Sequence, residues 1–124
     1  MLDSAQLIGF VPTTDMDRAQ AFYSGVLGLT LTEVSPFACV FDSGGTMLRV
    51  TRVDDLTPPP FTVTGWAVTD IHTAVTDLTA AGVTFERFDG MTQDGIGVWT
   101  TPGGDYVAWF KDPDGNTLSL TQFH

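Results

Sequence analysis

The sequence predicts an α+β protein made of two tandem βαβββ units, forming a curved mixed sheet around a shared cavity. Three observations carry that expectation. Apolar periodicity runs strand, helix, then three strands, and the order repeats along the chain with one further candidate strand in the longer second copy. Each predicted helix is opened by an aspartate, Asp15 or Asp70, and closed by a glycine, Gly28 or Gly82. Between the copies stands Pro58-Pro59-Pro60, a stiff linker joining pseudo-repeats 4–56 and 61–124 within one domain of 124 residues.

In the first copy, Leu7 to Val11 read as a strand ended by Pro12, and Thr13-Thr14-Asp15 offer capping side chains. Met16, Ala19, Phe22, Tyr23, Val26 and Leu27 then recur at helical spacing. Strands are expected at Leu29 to Val34, Ala38 to Asp42 and Met47 to Val53, the last two joined by a tight turn at Ser43-Gly44-Gly45-Thr46.

The second copy opens with a strand from Thr62 to Val68. Its helix carries Ile71, Val75, Leu78 and Ala81 on one stripe. Val83 to Phe88, Val98 to Thr101, Tyr106 to Lys111 and Thr117 to Phe123 are the strands that follow, and Asp112-Pro113-Asp114-Gly115-Asn116 supplies the last turn. Residue matches between the copies are sparse but in order: Asp15 with Asp70, Ala19 with Ala74, Gly45 with Gly115, Leu48 with Leu118. The second copy is the longer one, its surplus falling around Gly90 to Asp105.

Composition narrows the partners. Fifteen acidic residues against five basic ones give a net charge of -10, which repels a phosphate backbone or an anionic lipid surface. Nucleic acid and membrane are therefore not expected partners; a small molecule is. The single cysteine, Cys39, has no intrachain partner and sits in the apolar run Phe37-Ala38-Cys39-Val40-Phe41, as a small buried hydrophobe would. No signal-peptide pattern or membrane-length apolar run occurs, so a cytoplasmic protein is expected.

The run from Asp15 to Tyr23, followed by Val26-Leu27-Gly28-Leu29, and the hairpin Lys111-Asp112-Pro113-Asp114-Gly115-Asn116 together resemble the vicinal oxygen chelate superfamily. That superfamily holds glyoxalase I, extradiol dioxygenases, fosfomycin-resistance transferases and metal-free bleomycin-binding proteins. The resemblance implies the two-unit fold, and in the enzymes a metal held by His, Gln or Glu from the first and last strand of each unit. Counting from the helix-opening aspartates and the hairpin glycines, those positions are Ile8, Arg49, Val63 and Ser119. None is a usual ligand, and an arginine repels a cation. His72 and His124 match no compact ligand spacing, and Gln6 stands alone. Neither a metal nor another cofactor is expected.

Strand alternation with this analogy gives the expected cavity lining: Ile8, Phe10, Phe37, Cys39, Met47, Arg49, Val63, Trp109 and Ser119. Arg49 either pairs with a protein carboxylate or clamps an anionic ligand group. Trp99, in the glycine-flanked segment from Gln93, either covers a ligand as part of a lid or fills the core of an extended hairpin. The Gly-Gly turns lack the lysine and helix of a phosphate loop, Asp54-Asp55 reads as a solvated turn, and no Ser/His/Asp set is visible. The expected function is metal-independent binding of a small molecule. Its rival is an enzyme of the same superfamily, a lyase, isomerase or dioxygenase-like protein, metal-dependent only through unconventional ligands; a third is an interaction module with a vestigial cavity. Pairing of halves within one chain and across a homodimer are both open.

Overall fold

The computed structural model describes all 124 residues and divides into two compact units, Met1–Pro58 and Pro59–His124. The first contains β1 (Ile8–Thr13), α1 (Met16–Gln20), β2 (Thr30–Val34), β3 (Ala38–Ser43) and β4 (Thr46–Arg52). Its four-stranded sheet has the order β1-β4-β3-β2. β1 runs parallel to β4, and the other pairs are antiparallel. The sequence places the end of the first strand at Pro12, yet β1 continues through Pro12 to Thr13. It is an edge strand, and an edge tolerates a residue with no N–H.

Asp15 caps α1 by accepting from the Arg18 amide at 3.0 Å. The expected single helix is in fact composite: after Gln20 the chain widens into a π-helical turn, Ala21–Val26, where the Leu27 amide reaches back to the Phe22 carbonyl at 2.9 Å. One more residue separates Asp15 from Gly28 than Asp70 from Gly82, and the wider turn absorbs it. Tyr23 is thereby kept fully buried, with its ring 5.2 Å from that of Phe22 and 5.9 Å from that of Phe41. In the β3–β4 hairpin, Gly44 and Gly45 both take positive φ, 57° and 90°, as the tight turn requires.

The second unit contains β5 (Thr62–Ala67), α2 (Ile71–Ala80), β6 (Trp99–Thr100), β7 (Tyr106–Lys111) and β8 (Thr117–Gln122). Sheet order is β5-β8-β7-β6, again mixed, with β5 parallel to β8. Asp70 caps α2 from both carboxylate oxygens, accepting the Thr73 amide at 3.2 Å and its hydroxyl at 2.8 Å. Ile71 donates its amide to Gln122 Oε1 at 2.9 Å, tying the helix start to the end of β8. The β7–β8 turn is held by Asp112, whose Oδ1 accepts the amides of Asp114 at 3.0 Å and Asn116 at 2.9 Å.

The strand expected from Val83 to Phe88 does not form; a lone bridge between Phe85 and Phe110 is what remains of it. The Glu86 amide still donates to the Trp109 carbonyl at 2.7 Å, but a side chain takes two of the neighbouring backbone groups. Gln93 Nε2 donates to the carbonyls of Glu86 and Gly97, both at 2.9 Å, while its Oε1 accepts the Phe88 amide at 2.8 Å. The Arg87 guanidinium donates to the carbonyls of Asp94 at 2.6 Å and Gly95 at 2.7 Å.

In each unit the core lies between helix and sheet. Val11, Phe41 and Val50 are fully buried in the first, and Ile71, Val75, Phe110 and Leu118 in the second. Each such side chain contributes about 1.5–3 kcal/mol on leaving water. The opposite face of each sheet, which carries Ile8, Phe10 and Met47 in the first unit and Trp109 in the second, is the less buried one.

Candidate functional site

On the first sheet, cross-strand register decides which residues share that open face. Arg49 in β4 lies beside Phe10 of β1 and Val40 of β3, and Met47 lies beside Ile8 and Asp42. Ile8, Phe10 and Met47 remain 43%, 57% and 41% exposed, an apolar surface around one cation. Arg49 itself is half-buried. Its Nη1 lies 4.0 Å from Met47 Sδ, and no carboxylate comes within ion-pairing distance of it. The internal pairing that the sequence left open for this arginine is therefore not made.

Two residues expected on this face are not there. Cys39 stands beside Val50, not Arg49, and points to the helix side, where its Sγ lies 3.8 Å from the Met16 carbonyl oxygen and from Met16 Sδ. Burial raises its thiol pKa, helped by the charge of Asp17. Phe37 precedes β3 rather than belonging to it, and is 77% exposed, its carbonyl accepting from the Arg52 amide at 2.8 Å. Ala38 through Phe41 are all buried, so the sequence holds no alternation from which the face can be read; only the register with β4 fixes it.

On the second sheet, Gly65, Ser119 and Trp109 lie side by side across β5, β8 and β7. Trp99 of β6 pairs with Val107, on the same face as Trp109, and the two indole rings are 6.0 Å apart at 33°. Phe88 meets Trp109 edge-on at 5.3 Å. Trp99 and Trp109 are partly buried and Phe88 is 40% exposed, so the three aromatic rings form a row that keeps some surface open to solvent. Val63 is the extra residue of a bulge in β5, where register shifts between Thr62 and Thr64.

The segment leading into Trp99 is laced to the protein by Asp94. Its Oδ1 accepts the amides of Ile96 at 3.0 Å and Val98 at 2.9 Å, and its Oδ2 lies 3.1 Å from His72 Nε2 at the start of α2. Burial opposes the charged carboxylate, but the Val98 and Ile96 amides and then His72 outweigh it, and the Asp94 pKa is lowered overall. His72 also meets Tyr106 edge-on at 5.6 Å. Sequence reasoning missed the roles of Phe88, Gln93 and Asp94. The one available signal was Asp94-Gly95, an Asx-turn pair inside the longer segment.

The four positions at which the superfamily resemblance places a metal do not fit one. Ile8 and Val63 have no donor atom, Arg49 is a cation on an apolar bed, and the Ser119 hydroxyl is folded over Gly65, where a Cβ would collide with it. Nowhere do three or more His, Cys, Asp or Glu side chains gather. A shallow, open depression of about 370 Å³ along the first helix is edged by Asp17, Gln20, Ala21, Ser24 and Gly25, with no aromatic or cationic group to hold a ligand. No helix is long and apolar enough to cross a membrane.

Comparison with known proteins agrees with this architecture. The lactoylglutathione lyase of Agrobacterium tumefaciens superposes with a TM-score of 0.74 at 20% identity, covering 96% of this chain and 93% of that one. A glyoxalase/bleomycin resistance protein/dioxygenase superfamily member from Sphaerobacter thermophilus gives 0.74 at 22% identity, covering 99% and 100%. A glyoxalase/bleomycin resistance protein/dioxygenase from Alicyclobacillus acidocaldarius gives 0.70 at 20% identity, covering 97% and 92%. At these identities the likeness is one of fold. No curated protein matches the chain significantly. The profile described as Glyoxalase/Bleomycin resistance protein/Dioxygenase superfamily matches residues 5–120, nearly the whole of both units, and the chain belongs to that superfamily.

Proposed function

We propose that this protein binds a small, largely apolar molecule on the open faces of its sheets, and does so without a metal. The observation that carries this reading is the aromatic row Phe88, Trp109 and Trp99 on the second unit, in which Phe88 is exposed and both tryptophans are partly so. Covering the part of these rings that is still in water would recover only a fraction of the roughly 1.5–3 kcal/mol of a fully buried side chain, yet for three adjacent rings the sum favours an apolar ligand. The donor chemistry of Ile8, Arg49, Val63 and Ser119 supports the metal-free part. Turnover would need a group poised to move a proton: the histidine–carboxylate pair His72 with Asp94 lies at the start of α2, and the carboxylate on the first open face, Asp42, has no histidine beside it. Binding is therefore favoured over catalysis. The unpaired Cys39 suits a reducing, cytoplasmic setting.

The test is a ligand screen read by tryptophan fluorescence in the presence of a chelator. Saturable quenching by an apolar compound, diminished in Trp109→Phe, is the expected outcome. A screen in which no compound changes the emission of the native protein would overturn the reading.

A further inference from the structure

We propose that Arg49 makes the open face of the first sheet selective for a monocarboxylate with an apolar body. The inference rests on the reading of the chain as a small-molecule binder and narrows the ligand's chemistry. A guanidinium carries five N–H donors and no acceptor, and when partly removed from water it needs anionic or carbonyl oxygen to satisfy them. Arg49 has instead a thioether sulfur at 4.0 Å, among the weakest acceptors a protein offers. Its fork is free for the two parallel N–H···O bonds that a carboxylate accepts.

The surroundings specify the rest of the molecule. Phe10 beside Arg49, with Met47 and Ile8 one step along the face, offers exposed apolar surface against which a hydrocarbon or aryl body loses its contact with water. Thr51 follows Arg49 on the same face of β4 and supplies a hydroxyl donor next to the charged head. A single charge is preferred over two. Arg49 is the one cation among these residues, and Asp42 stands beside Met47 on the same face, so the second charge of a phosphate monoester would be uncompensated and repelled.

Isothermal titration with 4-phenylbutyrate, its primary amide and the phosphate monoester of 4-phenylbutanol separates the alternatives. The carboxylate is expected to bind about tenfold or more tightly than the amide. Arg49→Gln should erase most of that difference, weakening carboxylate binding far more than amide binding, and Arg49→Lys should restore part of it; circular dichroism and the thermal midpoint verify that each variant is folded. Equal affinity for carboxylate and amide, tighter binding of the phosphate ester, no binding of any of the three, or a preference that survives Arg49→Gln overturns the inference. Each of those results leaves the broader binding reading standing if the fluorescence screen finds ligands, whereas a silent screen removes both.

Discussion

Gly65 and Ser119 are neighbours across the parallel strands β5 and β8, packed so closely that a Cβ on Gly65 would collide with the Ser119 hydroxyl and lie 3.2 Å from its carbonyl oxygen. A position at which the superfamily resemblance expects a metal ligand is thus filled by a hydroxyl folded over bare backbone. Ser119 is only 8% exposed.

That contact gives a stability prediction. Gly65→Ala should destabilise the protein by about 1–3 kcal/mol through overpacking. Ser119→Ala alone should cost under about 1 kcal/mol, and the double variant should recover part of the Gly65→Ala loss, because the hydroxyl is the hardest of the clashing atoms. Urea unfolding of the four proteins measures the coupling, and strict additivity would contradict the packing described.

Asp94 predicts an acid-sensitive segment. Its carboxyl pKa is lowered from the ordinary 3.8, burial being outweighed by the amides of Val98 and Ile96 and by His72. A carboxyl depressed on folding contributes its stability fully above the unfolded value and loses it as pH falls through the lower folded value. Asp70, lowered by the Thr73 hydroxyl and amide, acts in the same direction. Asp94→Asn should therefore flatten the fall in stability below about pH 4, and at neutral pH cost under about 1 kcal/mol, because the carboxyl is 41% exposed and solvent screens its contacts. Chemical denaturation across an acid series measures both; an unchanged acid limb would remove Asp94 from the account.

Cys39 predicts a protected thiol. Fully buried against Met16, with its pKa raised by burial and by Asp17, it should react with an aromatic disulfide reagent more than about a hundredfold slower in the native protein than in concentrated guanidinium. Rapid native labelling would place it on the open face after all.

The aromatic row predicts a spectroscopic asymmetry. Trp109 touches both Phe88 and Trp99, whereas Trp99 meets Trp109 alone of the aromatic rings. Ligand-induced quenching should therefore fall further in Trp109→Phe than in Trp99→Phe, by about half or more of the native signal. Equal and undiminished quenching in the two variants would show that the ligand sits elsewhere.

Where one face of a strand is polar or open, the sequence was enough. The alternation Met47, Arg49, Thr51 and that of Val107, Trp109, Lys111 put each set on one face, opposite the buried Leu48, Val50, Ala108 and Phe110, and both helices begin at the aspartates that cap them. Legibility fails where the signal is absent in principle. Ala38 to Phe41 are buried on both faces, so parity cannot tell Cys39 from Val40, and the assignment waits on pairing with β4. Val83 to Phe88 has strand-like composition, but Gln93, outside the segment, takes its Phe88 amide and Glu86 carbonyl. Such competition between side chain and ladder leaves no local trace. The partnerless state of Arg49 was equally invisible, since it depends on which carboxylates the fold keeps away from it.

The central claim is binding without a metal. Its most direct test is titration of one ligand into the chelator-treated protein, repeated after adding a stoichiometric divalent ion, with bound metal counted by elemental analysis. The same affinity in both titrations, with less than one ion retained per chain, is the predicted result. Binding that appears only with the ion, at one ion per chain, would contradict it.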